Sequence, residues 1–130
     1  MAQDLAKKLL LHKVHGATLV NAPDDFITKL QNELPEHKIL TDMPKNDADF
    51  IHLFVHDSSE LKNALEGVYK HLKPDGILWV SYPKKSSKLK SDLSRDLLQS
   101  LLRETNYEGV SLISIDETWS AMRVKPMKVD

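Results

Sequence analysis

The sequence predicts a three-layer α/β domain with a mostly parallel sheet of about six strands, helices on both faces and an antiparallel C-terminal hairpin. Three observations carry this. Asp49-Phe50-Ile51-His52-Leu53-Phe54-Val55 and Ile77-Leu78-Trp79-Val80-Ser81-Tyr82 are nearly continuous apolar runs, as expected of strands covered on both faces. Between them, Leu61, Ala64, Leu65, Val68 and Leu72 recur at helical spacing, which makes a strand–helix–strand unit. Near the end, Val110 to Ile115 and Thr118 to Lys125 both read as strands, and the gap between them is too short for a helical crossover.

The remaining elements follow in order. Leu5, Ala6, Leu9 and Leu10 predict a short N-terminal helix lying on the sheet edge. Ala17-Thr18-Leu19-Val20 reads as the first strand, and Phe26, Ile27, Leu30 and Leu34 as the buried stripe of the helix after it. Asp24 or Asp25 in the first turn of that helix suits its dipole. Lys38-Ile39-Leu40 is a weak second strand, and Met43 to Asp47 a polar loop. Asp57 is placed to cap the central helix, with Glu60 reaching back, and Lys73-Pro74-Asp75-Gly76 to end that helix and turn the chain. Leu93, Leu97, Leu98, Leu101 and Leu102 predict a further helix, with Ser91 or Asp92 as its cap.

The chain has 130 residues, enough for one core, and is read as a single domain over residues 1–130. It is 41% hydrophobic and 28% charged, with a formal net charge of −1, so bulk attraction to nucleic acid or to an anionic membrane is not expected. The absence of cysteine removes disulfides, thiolate metal sites and a thiol nucleophile, and fits a reducing compartment. Met1 to Lys8 lacks a signal-peptide layout and no segment has the roughly 20 apolar residues of a spanning helix. The expected location is the cytoplasm.

In an open α/β sheet, ligands gather at the carboxyl ends of the strands. Those ends supply the candidate binding residues Asn21, His56, Asp57, Tyr82, Lys84, Lys85, Ser86, Arg95 and Asp116, with Trp119 nearby on the hairpin. Lys84, Lys85, Ser86 and Arg95 form an anion-binding set ahead of a helix N-terminus, weighed against an ordinary solvated loop. His56 is a candidate acid or base, weighed against a reading in which Asp57 only caps a helix. His52 and His56 share a strand face but lie ~13 Å apart, too far to hold one ion, so no metal is expected and His52 is read as a core histidine. Asp116-Glu117 reads as a hydrophilic turn, and Trp79 and Trp119 as core or interface anchors. No catalytic residue is assigned.

The unit from Asp49 through Leu72-Lys73-Pro74-Asp75-Gly76 to Val80, with the final hairpin, resembles the second half of class I S-adenosylmethionine-dependent methyltransferases, which have a Rossmann-like fold. Nearly the whole chain also resembles a small uncharacterised bacterial family, a domain of unknown function. That likeness lies in Leu19-Val20-Asn21-Ala22-Pro23, Trp79 to Ser87 and Asp116 to Arg123, and implies no activity. The methyltransferase resemblance implies a glycine-rich turn after the first strand and an acidic residue after the second to hold ribose hydroxyls. This chain has Asn21-Ala22-Pro23-Asp24-Asp25 at the first place and only Asp42 for the second. Proline lacks an N–H and two aspartates oppose an anion, so no cofactor is expected. The function expected is a non-catalytic binding or interaction domain. The alternative is an anionic-metabolite binding protein or enzyme using the strand ends, including a divergent methyltransferase. A homodimer through exposed edge strands is the one protein partner considered.

Overall fold

The computed structural model describes residues 4–127. Met1–Gln3, part of the N-terminal stretch read above, lie outside the described residues. Six strands form one sheet: β1 (Gly16–Val20), β2 (Lys38–Leu40), β3 (Ala48–Phe54), β4 (Leu72–Pro83), β5 (Tyr107–Ser114) and β6 (Trp119–Pro126). Their order across the sheet is β2-β1-β3-β4-β6-β5. The first four run parallel, and β6 pairs antiparallel with both β4 and β5. The α/β class, the mostly parallel sheet and the C-terminal hairpin are those expected. The chain leaves β1 for β2 on one side and returns to β3 on the other, so the carboxyl ends of β1 and β3 flank a topological switch point.

The helices are α1 (Asp4–Lys8), α2 (Asp24–Glu33), α3 (Ser58–His71) and α4 (Arg95–Arg103). One core cluster joins residues of α1 and α2 to Leu19, Phe50, Phe54 and Trp79. A second joins α3 and α4 to Ile51, Leu53, Val55, Leu78 and Val80. β3 therefore sends alternate residues into two cores, which is why its sequence is apolar without a break. His52 enters with them, fully buried, its Nε2 2.6 Å from Ser81 Oγ and its ring stacked on Phe54.

Three local features differ from expectation. The N-terminal helix covers a sheet face rather than its edge. Leu5, Ala6, Leu9 and Leu11 are all buried, more apolar surface than an edge contact removes from water, and Trp79 Nε1 donates to Leu9 O at 2.9 Å. Leu10 makes this possible by taking φ 68°, which ends α1 and lets Leu9 and Leu11 both point inward. The cap of α4 is Ser94, whose Oγ accepts from Leu97 N at 3.1 Å, not Ser91 or Asp92. Leu93, just ahead of the cap, is buried in the same cluster as Leu98 and staples the helix entry, which sets the start three residues past Ser91. Asp92 instead accepts from the N and Oγ of Ser58, tying the loop to the start of α3. Lastly, Lys73 to Gly76 ends α3 as expected but is absorbed into β4, where the pairing with β3 shifts register between Ala48 and Phe50.

Candidate functional site at the carboxyl edge

The turn after β1 contains no glycine, yet it adopts the conformation a glycine usually supplies. Asn21 has φ 60°. Asparagine is among the few L-residues that occupy the left-handed region at modest cost. Pro23 then caps α2 with extended backbone and no side-chain hydrogen bond, and Asp24 and Asp25 occupy the first turn. Asp25 is held locally, its Oδ1 accepting from Phe26 N at 3.0 Å.

Two adjoining clefts open at this edge. The larger, about 710 Å³, runs from Asn21, Pro23 and Asp25 past His56 to Ser86–Leu89 and to Glu117–Trp119 on the hairpin. The smaller, about 500 Å³, is lined by Tyr82, Lys84, Lys85, Ser86, Ser94, Arg95, Asp96 and Ser120. Ser86 belongs to both. The strand ends thus bring together eight of the ten expected binding residues: Asn21, His56, Ser86 and Trp119 in the larger cleft, and Tyr82, Lys84, Lys85 and Arg95 with Ser86 in the smaller. Asp57 and Asp116 line neither.

The chemistry of each residue follows from its partners. Asp57 caps α3, its Oδ1 accepting from Glu60 N at 2.9 Å. Glu60 reaches back to accept from His56 N, and its Oε1 lies 3.1 Å from His56 Nδ1. His56 is thereby oriented edge-on to Trp119, ring centroids 5.5 Å apart. Trp119 is anchored from behind by Phe54, also edge-on at 5.1 Å, so an almost buried indole forms one wall of the larger cleft. Asp116 Oδ1 accepts from the N of Thr118 and of Trp119, which makes it the brace of the hairpin turn rather than an acid or base.

In the smaller cleft, Lys84 is committed at both ends. Its N donates to Thr118 O at 2.7 Å and its Nζ to Ser114 Oγ at 2.6 Å. Lys85 and Arg95 are exposed beside the first turn of α4. Burial raises the Tyr82 phenol above its ordinary range, with Arg95 opposing the shift. Sequence reasoning placed Pro23, Asp25 and Glu117 in turns but not among the binding residues, and did not count Leu89 among them either. Glu117 adjoins the expected Asp116, but only the folding of loop 84–89 over the β1 turn places all four in one cleft.

Asp42, the expected acidic residue after the second strand, is not part of either cleft. It lines a separate cavity of about 570 Å³ between β1, β2 and the 41–49 segment, and that cavity shares no residue with the Asn21 cleft. Among the described residues no group of three or more potential metal ligands converges, and no helix is long and apolar enough to cross a membrane.

The chain has a Rossmann-like fold of the methyltransferase type, superposing on solved structures of S-adenosylmethionine-dependent methyltransferases. It matches the mitomycin 7-O-methyltransferase MmcR with a TM-score of 0.70 at 8% identity, covering 96% of this chain and 53% of that one. It thus spans about half the length of that protein. A methyltransferase from Aquifex aeolicus matches with a TM-score of 0.62 at 14% identity, covering 93% of this chain and 88% of that one. One from Clostridium acetobutylicum gives 0.58 at 11% identity, covering 98% and 91%. No protein-family model matches the sequence, and no curated protein does.

Proposed function

We propose that this chain is a non-catalytic binding domain on a methyltransferase-like scaffold, which holds a small anionic molecule at the carboxyl edge of its sheet. The observation that carries this reading is the separation of Asn21 from Asp42 into different cavities. In the resembling methyltransferases the first turn and the acidic residue after the second strand hold one cofactor together. Here the two positions do not face a common space, and Pro23 withholds an N–H from the first turn. The residues do not fit S-adenosylmethionine. Groups suited to proton transfer are also engaged otherwise: Asp57 caps α3, and His56 is held by Glu60. The ligand body rests in the larger cleft against Trp119, and its anionic end reaches Lys85 and Arg95 across Ser86.

The divergent-methyltransferase reading is the second one, favoured by the left-handed Asn21. Asp24 and Asp25 would repel a phosphate but not a sulfonium cation or a ribose hydroxyl. A thermal-shift panel separates the two. S-adenosylmethionine and S-adenosylhomocysteine are expected to leave the melting temperature unchanged. At least one phosphorylated or carboxylated metabolite raises it, and Lys85→Gln and Arg95→Gln each reduce that response. A saturable shift with S-adenosylmethionine overturns the proposal, and so does silence across the anionic panel.

A further inference from the structure

The opposite edge of the sheet holds a cavity of about 610 Å³ that the reading above does not use. It lies where the segment before β1, the beginnings of β3 and β4, and β6 come together. We propose that this cavity, walled by Arg123, Lys13 and His15, is a second binding site that takes a small oxyanion, a phosphate or carboxylate group.

Arg123 carries the argument. It projects from β6 opposite Trp79 of β4 and is half-buried. Its Nε is buried with no hydrogen-bond partner. Among the described residues no carboxylate forms an ion pair with it. A guanidinium stripped of part of its water and left without a counter-charge is unfavourable, and the fork of its N–H groups matches a carboxylate or phosphate. Burial correspondingly pulls its pKa below the ordinary arginine value.

The rest of the wall leaves the cavity electropositive. Asp49 is neutralised by Lys73, whose Nζ lies 3.0 Å away. That leaves Arg123 and Lys13 against Asp75, with His15 adding positive charge when protonated. The apolar side of the cavity is formed by Leu10, Val14 and Ile77. An anion bound there would lie in partly desolvated surroundings, where charge pairing counts for more than on open surface. The competing view has the Arg123 stem merely covering the sheet while its head group stays in water. That view predicts no anion response.

The experiment measures melting of the full chain in sodium phosphate and in sodium citrate, against sodium chloride at matched ionic strength. At least one of the two anions is expected to raise the melting temperature saturably. Arg123→Gln and Lys13→Gln each weaken the apparent affinity by roughly tenfold, the loss of one charge-assisted contact, and Lys29→Gln, on the exposed side of α2 and in neither cleft, leaves it unchanged. A response to phosphate alone names a phosphate ligand, and a response to citrate alone a carboxylate. Should Arg123→Gln not fold, Lys13→Gln, in an exposed turn, still reads the site. The proposal is overturned if neither anion acts beyond chloride. It is also overturned if the response is lost in Lys85→Gln and kept in Arg123→Gln and Lys13→Gln, an outcome that assigns the anion to the carboxyl edge instead.

Discussion

His52 of β3 and Ser81 of β4 meet in a fully buried hydrogen bond, Nε2 to Oγ 2.6 Å, at the centre of the parallel sheet. Burial alone pushes the His52 pKa from 6.5 down to about 3. The folded state keeps the imidazole neutral, while the unfolded chain protonates it below pH 6.5. Stability is therefore complete above that pH and is lost as pH falls from about 6.5 towards 3, by at most ~1.4 kcal/mol per pH unit. Urea denaturation between pH 7 and pH 5 checks this. His52→Gln, which keeps a hydrogen-bonding group beside Ser81, should flatten the dependence, and an equally steep variant would refute the assignment.

Asp57 separates the structural from the catalytic reading of the α3 terminus. Replacing it with Ala removes the acceptor for Glu60 N and should lower stability by about 1 kcal/mol. Ser94→Ala should cost a similar ~1 kcal/mol through α4, whereas Asp92→Ala leaves the α4 cap intact. Denaturation midpoints at constant slope test all three. If Asp57→Ala leaves stability untouched but abolishes ligand binding, Asp57 belongs to the site after all.

Most of the framework was legible because its signals are local or strongly periodic. The two-core strand β3, the α3 stripe with its Asp57–Glu60 cap and the short β5–β6 gap all reappear at nearly the expected residues. What sequence reading missed depends on tertiary choice. Three consecutive leucines, Leu9-Leu10-Leu11, do not reveal that the middle one breaks the helix with a positive φ. Ser91, Asp92 and Ser94 are all plausible caps until Leu93 is drawn into the core. The candidate site was legible as a list of strand ends but not as two clefts. Nor could the sequence show that Asp42 opens on another cavity, because the 41–49 segment is placed by long-range contacts, such as Met43 lying close to Gly67 of α3, that no local signal announces.

Asn21 tests how the first turn is built. At φ 60° a β-branched residue is strained, so Asn21→Val should destabilise by roughly 1–2 kcal/mol, while Asn21→Gly should be close to neutral. Chemical denaturation measures both. Equal stability of the Val and Gly variants would show that the turn relaxes out of the left-handed region, and the resemblance of its backbone to a glycine-bearing turn would then carry no weight.

Asp92 offers a check on how loop 84–94 is held to the body of the molecule. Its carboxylate accepts from both Ser58 Oγ and Ser58 N, and these bonds lower its pKa below the ordinary aspartate value, with Lys62 adding a smaller effect. The direction follows because both donors favour the ionised form. In an NMR titration the Asp92 carboxyl should titrate lower than a free aspartate. Ser58→Ala, which removes the hydroxyl donor and keeps the backbone one, should move it part of the way back. The same variant loosens the tie between α3 and the segment that leads into α4, so amide exchange should quicken in residues 90–94 while the β3 and β4 amides stay protected. An Asp92 titration identical in the two proteins would mean that the Ser58 contact does not persist in solution.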